Sequence, residues 1–205
     1  MKRILIFAAA LMMSGMVSLA QADGLGLAGK VSTNGYGIEL GYRFNDYLAV
    51  RGGINRGSYD YSGTDAGTNY NYTLDFDNNP VLLDWHPLGG VFRLTAGVVN
   101  NNNQLTGRAS GALVDGVPAA TVTTDITFKK TSPYVGFGWG GLPAKKSGLG
   151  FSFDLGVLMH GSPTARITAP GVPEANRAAE EAALNADLKD FKYWPVISFG
   201  IGYTF

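Results

Sequence analysis

The last thirteen residues of the 205-residue chain, YWPVISFGIGYTF, alternate between two kinds of side chain. One set is bulky and mostly apolar or aromatic: Tyr193, Pro195, Ile197, Phe199, Ile201, Tyr203 and Phe205. The other set is small and mostly polar: Val196, Ser198, Gly200, Gly202 and Thr204. Because successive side chains of a β-strand point to opposite faces, this segment predicts a strand with one greasy face and one small, polar face.

The other end of the chain is predicted to be an export signal. Residues 1–3 (Met-Lys-Arg) are a positive start, 4–19 are an apolar run, and 20–22 (Ala-Gln-Ala) supply the small-x-small pattern that signal peptidase cuts. We therefore expect a cleaved signal peptide over 1–22 and one mature domain over 23–205. An uncleaved membrane anchor is the alternative, since the apolar run is nearly long enough to span a bilayer.

Composition restricts the class of the mature domain. It holds no apolar run near the roughly 20 residues that a spanning helix needs, so insertion through α-helices is excluded. The chain has no Cys, which suits an exported protein. Basic and acidic residues number 16 each, so no overall field attracts nucleic acid, and nucleic acid is not an expected partner. With two histidines predicted at opposite ends of the domain, no metal or other cofactor is expected.

Eight segments of the mature domain alternate at period two, which predicts eight antiparallel strands. On the second, Tyr36, Ile38 and Leu40 share one face, and Glu39 and Arg43 share the other. Tight turns at one end of these strands contrast with long connections at the other, over 58–69, 100–131 and 161–191. The pattern predicts an all-β fold: an eight-stranded antiparallel transmembrane β-barrel with a greasy outside and a polar lumen.

Two irregularities are expected within this pattern. In the fourth strand the apolar residues are even-numbered up to Phe76 and odd-numbered from Val81, which predicts a β-bulge near Asn78-Asn79-Pro80. The connection over 100–131 is expected to form a hairpin that turns at Asp115-Gly116.

The connection before the last strand has a different composition. The segment from about 173 to 190 is rich in Ala, Glu and Leu and begins with a proline. Both features predict one amphipathic helix, placed on the extracellular side of the barrel. The interpretation we favour is a helix that packs on the barrel rim. A lid over the lumen and an interfacial helix are the alternatives.

As an overall pattern of signal peptide, alternating strands, unequal connections and terminal aromatic, the chain resembles the OmpA/OmpX/OmpW-like superfamily of small bacterial outer-membrane barrels. The resemblance is architectural and covers the mature domain. It implies the outer membrane of a Gram-negative bacterium as the location, and outer-membrane lipids and lipopolysaccharide as neighbours. It also implies folding by the outer-membrane assembly machinery, which would engage the C-terminal strand ending at Phe205.

Five outward-facing aromatic residues agree with this orientation. If Phe205 lies at the periplasmic rim, chain direction puts four other aromatic side chains at the same level. The predicted periplasmic girdle is Phe44, Trp85, Phe92, Trp139 and Phe205. Aromatic girdles are typical of the interfaces of membrane barrels.

Charged residues are predicted on the inner face of several strands. They are Lys30, Glu39, Arg43, Arg51, Asp84, Arg93 and Asp154. An eight-stranded barrel is just wide enough to be filled by side chains, and buried charges are tolerated only when they are paired. We therefore expect an ion-pair network that largely fills the lumen. A narrow path for small solutes, with Arg51, Arg93 and Asp154 as the constriction, is the alternative.

His160-Gly161-Ser162 at the top of a strand raises a third, remote alternative, a lipid-modifying hydrolase. A Ser-His pair needs a group that orients the imidazole and an oxyanion site, and no acidic residue is placed for the first role. We therefore expect a structural or surface-interaction barrel rather than an enzyme. A secreted β-sandwich is the alternative fold, in which the greasy faces would meet between two sheets.

Overall fold

The computed structural model describes residues 24–65, 68–141 and 147–205, so the predicted signal segment 1–22 lies outside the described residues. Its strands are β1 (Leu25–Ser32), β2 (Gly35–Arg43), β3 (Leu48–Asp65), β4 (Thr68–Trp85), β5 (Phe92–Asn101), β6 (Gln104–Val114), β7 (Val117–Thr127), β8 (Thr131–Gly140), β9 (Gly148–Leu158), β10 (Thr164–Thr168) and β11 (Trp194–Thr204), and its helix is α1 (Glu174–Leu188). Among the described residues, no helix has the length and apolar character to cross a membrane.

Eight of the eleven strands in the described part of the chain pair edge to edge into a ring. The order around the ring is β1, β2, β3, β4, β5, β8, β9 and β11, and β11 pairs with β1 to close it. Every one of these pairings is antiparallel, and the closed ring is a β-barrel without a free edge. We call the end that carries Phe205 the lower end, and the end that carries the β1–β2 hairpin at Thr33-Asn34 the upper end.

The two faces of the ring strands differ as the alternation predicts. On β2, Tyr36, Ile38 and Leu40 are exposed, whereas Glu39 and Arg43 are buried. The other strands of the ring repeat this contrast, and their exposed apolar residues include Val31, Ile54, Leu83, Val98, Val135, Phe151 and Phe199. The outside of the barrel is therefore an apolar belt, and greasy faces do not meet between two sheets as they would in a sandwich.

The hairpin formed by β3 and β4 continues beyond the barrel. Each strand has 18 residues, compared with 9 in β2. Their register is constant from the Leu48–Trp85 pair to the Asp65–Thr68 pair. The predicted loop over 58–69 is therefore wrong, because 58–65 and 68–69 belong to this strand pair and bond across the hairpin.

The predicted bulge near Asn78 is also wrong. Asn78 pairs with Asn55 in the same register in which Val81 pairs with Gly52, so no extra residue is absorbed between them. Even-numbered residues keep one face along the whole of β4, and Phe76 lies on the inner face with Asn78. The apolar pattern changes phase because the barrel interior itself becomes apolar toward the upper end.

Five strands form a second sheet at the upper end, which we call the upper sheet. It consists of the upper halves of β3 and β4 followed by β6, β7 and β10. The hairpin of β6 and β7 turns at Asp115-Gly116, both with positive φ, as predicted for the connection 100–131. The helix predicted over about 173–190, before the last strand, is confirmed by α1.

One face of the upper sheet is polar throughout the part that the structure describes. The strand register aligns its side chains in four rows: Ser58, Asp75, Gln104, Thr127 and Thr164; Asp60, Thr73, Thr106, Asp125 and Arg166; Ser62, Asn71, Arg108, Thr123 and Thr168; and Thr64, Asn69, Ser110 and Thr121. Hydroxyls bond along the rows, as where Thr73 Oγ1 donates to Asp60 Oδ1 at 2.7 Å. The composition of this face suits contact with water.

The opposite face of the upper sheet carries a small apolar core, against which α1 packs through Leu184. The helix also covers the outer edge of β10. Asn185 Oδ1 accepts from Ala165 N at 2.9 Å, and Asn185 Nδ2 donates to Ala165 O at 3.0 Å. One turn earlier Glu181 accepts from Ile167 N, and a further turn earlier Arg177 donates to Ile167 O. These side chains stand in for a further strand, so the edge is not open to pairing with another chain.

Candidate functional site in the barrel interior

The central layer of the barrel interior is a cluster of charged side chains, which we call the ion network. Arg51 on β3 lies at its centre. Its Nη1 is 3.0 Å from Glu39 Oε1, its Nε is 2.5 Å from Asp84 Oδ2, and its Nη2 is 3.5 Å from Asp154 Oδ1. One guanidinium therefore contacts three carboxylates from three other strands.

Two further cations complete the ion network. Lys30 Nζ lies 3.3 Å from Glu39 Oε2 and 3.0 Å from Asp154 Oδ2. Arg93 Nη2 lies 2.6 Å from Asp154 Oδ1, and its Nε lies 3.7 Å from Asp84 Oδ1. The six side chains come from six different strands. Five of them are at most 8% exposed, and Lys30 is half-buried. Three positive charges face three negative charges, so the layer is neutral.

Thr95 and Ser198 belong to the ion network although the sequence prediction did not include them among the site residues. Thr95 Oγ1 donates to Asp84 Oδ1 at 2.6 Å, and Ser198 Oγ donates to Asp154 Oδ2 at 3.1 Å. Their parity on β5 and β11 marks both as inward, which is the signal that could have identified them. They satisfy carboxylate oxygens that the cations leave with spare capacity.

Glycines on β8 make room for the ion network. A Cβ at Gly138 would lie 2.8 Å from Asp154 Oδ1 and 3.3 Å from Arg93 Nη2. A Cβ at Gly136 would lie 2.8 Å from the hydroxyl of Tyr134. The other seven strands of the ring contribute polar side chains to this layer. On β8 the glycines leave space, which Arg93, Asp154 and Tyr134 occupy.

Arg43 shares the inner face with the ion network but lies below it. Its Nε donates to Asn45 O at 3.2 Å and its Nη2 donates to Asp46 O at 2.8 Å, so it fastens the lower turn after β2. His86 lies at the same end, with Nδ1 2.9 Å from Gly90 O. The structure therefore brings together six of the seven charged residues of the predicted site.

A cavity of about 50 Å³ lies above the ion network. Its walls include Leu82, Val99 and Tyr134. Two cavities at and below the network measure about 10 and 20 Å³. Volumes of this size hold a few water molecules at most.

Asparagine side chains roof the cavity. Asn55 Nδ2 donates to Asn78 Oδ1 at 2.8 Å, Asn78 Nδ2 donates to Asn103 Oδ1 at 3.2 Å, and Asn103 Nδ2 donates to Asn34 Oδ1 at 3.2 Å. These amides join β3, β4, the β1–β2 turn and the segment after β5. The chain of amides closes the lumen a second time, above the ion network.

Aromatic side chains close the upper end, and we call them the aromatic lid: Phe76, Phe128, His160, Phe191 and Trp194. The His160 ring lies 4.8 Å from that of Phe128 and 5.4 Å from that of Phe191. Its Nδ1 is 2.8 Å from Gly161 O. Ser162 Oγ donates to Lys189 O at 2.6 Å rather than toward the imidazole, so the geometry does not assemble a Ser-His pair.

The predicted girdle residues lie at the lower end of the outer surface. Phe92 and Trp139 are cross-strand partners with ring centroids 5.7 Å apart. Trp85 pairs with Leu48, whose carbonyl accepts from Phe44 N at 2.9 Å. Phe205 N donates to Leu25 O at 2.9 Å, which fixes the terminal aromatic at the same end. Phe44, Trp85 and Trp139 are each about half exposed, at 58%, 50% and 44%.

The free energy of unfolding is expected to decrease as the pH falls, because His160 in the aromatic lid and His86 at the lower end are buried. Burial lowers the pKa of His160, and burial and the nearby Arg43 lower that of His86. Between these folded values and the unfolded pKa of about 6.5, the unfolded chain binds more protons, so the free energy of unfolding decreases as the pH falls through that window. Urea midpoints measured on either side of pH 6.5 test this. His160→Gln should reduce the slope and leave the part due to His86, and an unchanged slope would contradict the assignment.

Comparison with known proteins finds likeness in fold but not in sequence family. No protein-family model matches the chain, and no curated protein matches it in sequence. The solved structure of Acinetobacter baumannii CarO is 21% identical, with a TM-score of 0.62, and the match covers 90% of this chain and 99% of that one. That of Acinetobacter baumannii CarO2 is 20% identical, with a TM-score of 0.64 and coverage of 90% and 100%. These likenesses support the β-barrel fold.

Proposed function

We propose that the protein is an integral outer-membrane β-barrel with a closed lumen, which carries the upper sheet on the cell surface in a structural or surface-interaction role. The observation that carries the proposal is the combination of an exposed apolar belt with a buried, charge-balanced interior. A water-soluble barrel would reverse these two faces. The apolar outer belt is stable in contact with hydrocarbon, and the charges in the interior are paired with one another.

The dimensions of the belt support membrane insertion. On β2 the outward residues from Tyr36 to the girdle residue Phe44 are all aromatic or aliphatic. A strand of about 9–11 tilted residues crosses a bilayer. With the girdle at the periplasmic interface, the upper end faces the cell exterior, and the belt contacts outer-membrane lipids and lipopolysaccharide.

The interior supports a structural role over transport. Conduction needs sites that bind a solute weakly enough to release it, along a continuous path. Here the ion network, the asparagine roof and the aromatic lid are three successive layers, with cavities of about 50 Å³ or less between them. The cations are already neutralised by carboxylates, so a passing ion would have to break several pairs.

The upper sheet supports a surface role. Its polar face extends beyond the belt, and α1 covers its edge at β10, whereas the upper half of β3 forms its other edge. This arrangement keeps the polar face solvated and prevents strand pairing at the β10 edge. The C-terminal strand, which pairs with β9 and β1 and ends at the lower rim, is the segment that the outer-membrane assembly machinery would engage.

A planar bilayer recording on the refolded full chain tests the proposal. We expect insertion without steady current, while a general porin in the same bilayer conducts. A steady, selective current that changes in Arg51→Ala and Asp154→Ala would instead establish the narrow channel, with Arg51, Arg93 and Asp154 as its constriction. A chain that stays monomeric and soluble without detergent would overturn the membrane location itself.

A further inference from the structure

An apolar groove lies on the outer surface of the barrel, where one position of the belt has no side chain. The strand register aligns five outward residues in one row, Ile54, Ile38, Gly29, Ile201 and Phe151. Only Gly29 in that row lacks a side chain, and a Cβ placed on it would meet nothing within 4 Å. Gly29 lines an open groove of about 750 Å³ on this surface.

The walls of the groove are large and apolar. Val31, Tyr36 and Phe199 stand in the next row above Gly29, and Val31 and Phe199 are 67% and 62% exposed. The floor is backbone, and the walls are rings and branched aliphatic chains. A hydrocarbon chain that lies on this floor would also contact the rings and branched aliphatic side chains beside it, so it would gain more dispersion contact than on a flat part of the belt.

A cation lies at the upper mouth of the groove. Arg56 is the cross-strand partner of Tyr36 and lines the same groove. Its contacts to Asn55 O, Asn79 Oδ1 and Asp77 Oδ1, at 2.8, 3.3 and 2.7 Å, all run through Nη1. The side chain is 47% exposed. Arg56 has the same parity on β3 as the outward-facing Ile54, so its side chain lies on the outer surface at the level where the belt ends.

From this juxtaposition we propose that the groove binds one acyl chain of lipopolysaccharide, with a lipid A phosphate on Arg56. The inference rests on the proposed membrane location. It adds one specific lipid site to a belt that elsewhere contacts hydrocarbon without specificity. An acyl chain and a phosphate on one molecule match the apolar groove and the guanidinium at its mouth, and Arg suits phosphate because its planar donors bind two oxygens.

The height of the site selects the lipid. Gly29 is midway along β1, between Leu25 at the lower rim and the upper hairpin, and Arg56 lies above it. The groove therefore opens toward the outer leaflet, where lipopolysaccharide is the anionic lipid. A phospholipid of the inner leaflet would bring its headgroup to the opposite end of the belt.

Native mass spectrometry of the refolded full chain in detergent, titrated with purified lipid A, tests the proposal. Arg56→Gln should weaken lipid A binding about tenfold, since a charge-assisted bond is lost. Gly29→Leu should also weaken it about tenfold by filling the groove. Arg56→Gln should not change binding of lipid A from which the phosphates have been removed. Ala96→Leu is the matched control, because Ala96 is another exposed small residue of the belt, on β5, and it should bind as the unmodified chain does.

The results separate failure of this site from failure of the proposed function. All variants should first show the folded-barrel shift in gel mobility and insert into vesicles. If they insert but Gly29→Leu and Arg56→Gln bind lipid A like Ala96→Leu, the site is wrong and the membrane location stands. Equal binding of phosphatidylethanolamine and lipid A, or a dimer in detergent that Gly29→Leu dissociates, would also overturn it. If no chain inserts, both proposals fail.

Discussion

Replacing Arg51 with Met is expected to destabilise the barrel by about 3–5 kcal/mol, the range found when one member of a buried ion pair is removed. Arg51 is 4% exposed, and among the described residues its guanidinium alone contacts Glu39, Asp84 and Asp154 together. Met occupies similar space without the charge. Two cations then face three buried carboxylates, and the surplus anion has no access to water.

The measurement is reversible urea unfolding in lipid vesicles, followed through tryptophan fluorescence. A shift of the midpoint at constant m-value reports lost stability. Arg108→Gln is the matched control, since Arg108 is exposed on the polar face of the upper sheet, and its removal should change stability by no more than about 0.5 kcal/mol. A loss in Arg51→Met as small as that of the control would show that the ion network does not hold the barrel together.

A second substitution tests whether charge balance is the cause. In Arg51→Met combined with Asp84→Asn, two cations face two carboxylates again. The loss of stability in the double variant should be smaller than the sum of the losses in the two single variants, by a coupling energy of about 0.5–3 kcal/mol. Strict additivity would mean that the residues contribute through packing and not through their charges.

The inner residues of the barrel could be predicted from the sequence because strand geometry fixes parity. Once β2 and β3 are recognised, Glu39 and Arg51 must share a face with Arg43. Parity does not give height along the barrel axis, which depends on the stagger between strands. For this reason the alternation could not show that Arg43 bonds to the turn below while Glu39 and Arg51 meet.

The upper sheet could not be predicted for a different physical reason. Its polar face consists mostly of Ser, Thr, Asn and Asp, and the same residues favour turns and loops. The stretch 58–69 therefore matches a loop in composition, although Tyr59 and Tyr61 alternate with those polar residues. Strand pairing with β6 and β7, far along the chain, decides the outcome, and a local pattern carries no information about such a partner.

The change from a polar to an apolar interior toward the upper end could not be predicted from the sequence either. Phe76 was predicted to face outward because an eight-stranded barrel is expected to have a polar lumen along its length. In the structure Phe76 packs against Trp194, with ring centroids 6.1 Å apart, within the aromatic lid. The assumption of a uniform lumen, and not the alternation itself, produced the false bulge.

Replacing Tyr134 with Ala is expected to destabilise the barrel by about 3–5 kcal/mol, as for other aromatic residues removed from a packed interior. Tyr134 is 6% exposed and packs with Leu82, Val99 and Leu158 between the ion network and the asparagine roof. Its ring lies over Gly156, where a Cβ would collide with it. Gly136 and Gly156, which lie against the Tyr134 side chain, have no side chain that could fill the space left by the ring.

Tyr134→Phe separates the ring from its hydroxyl. It keeps the packing and should cost less than about 1.5 kcal/mol in the same urea experiment. Neither variant should conduct in planar bilayers, since the ion network below and the asparagine roof above Tyr134 each close the lumen. A current in Tyr134→Ala alone would mean that this ring is the only effective barrier. Tyr134 would then be the gate, and the barrel would be a channel held shut by one side chain.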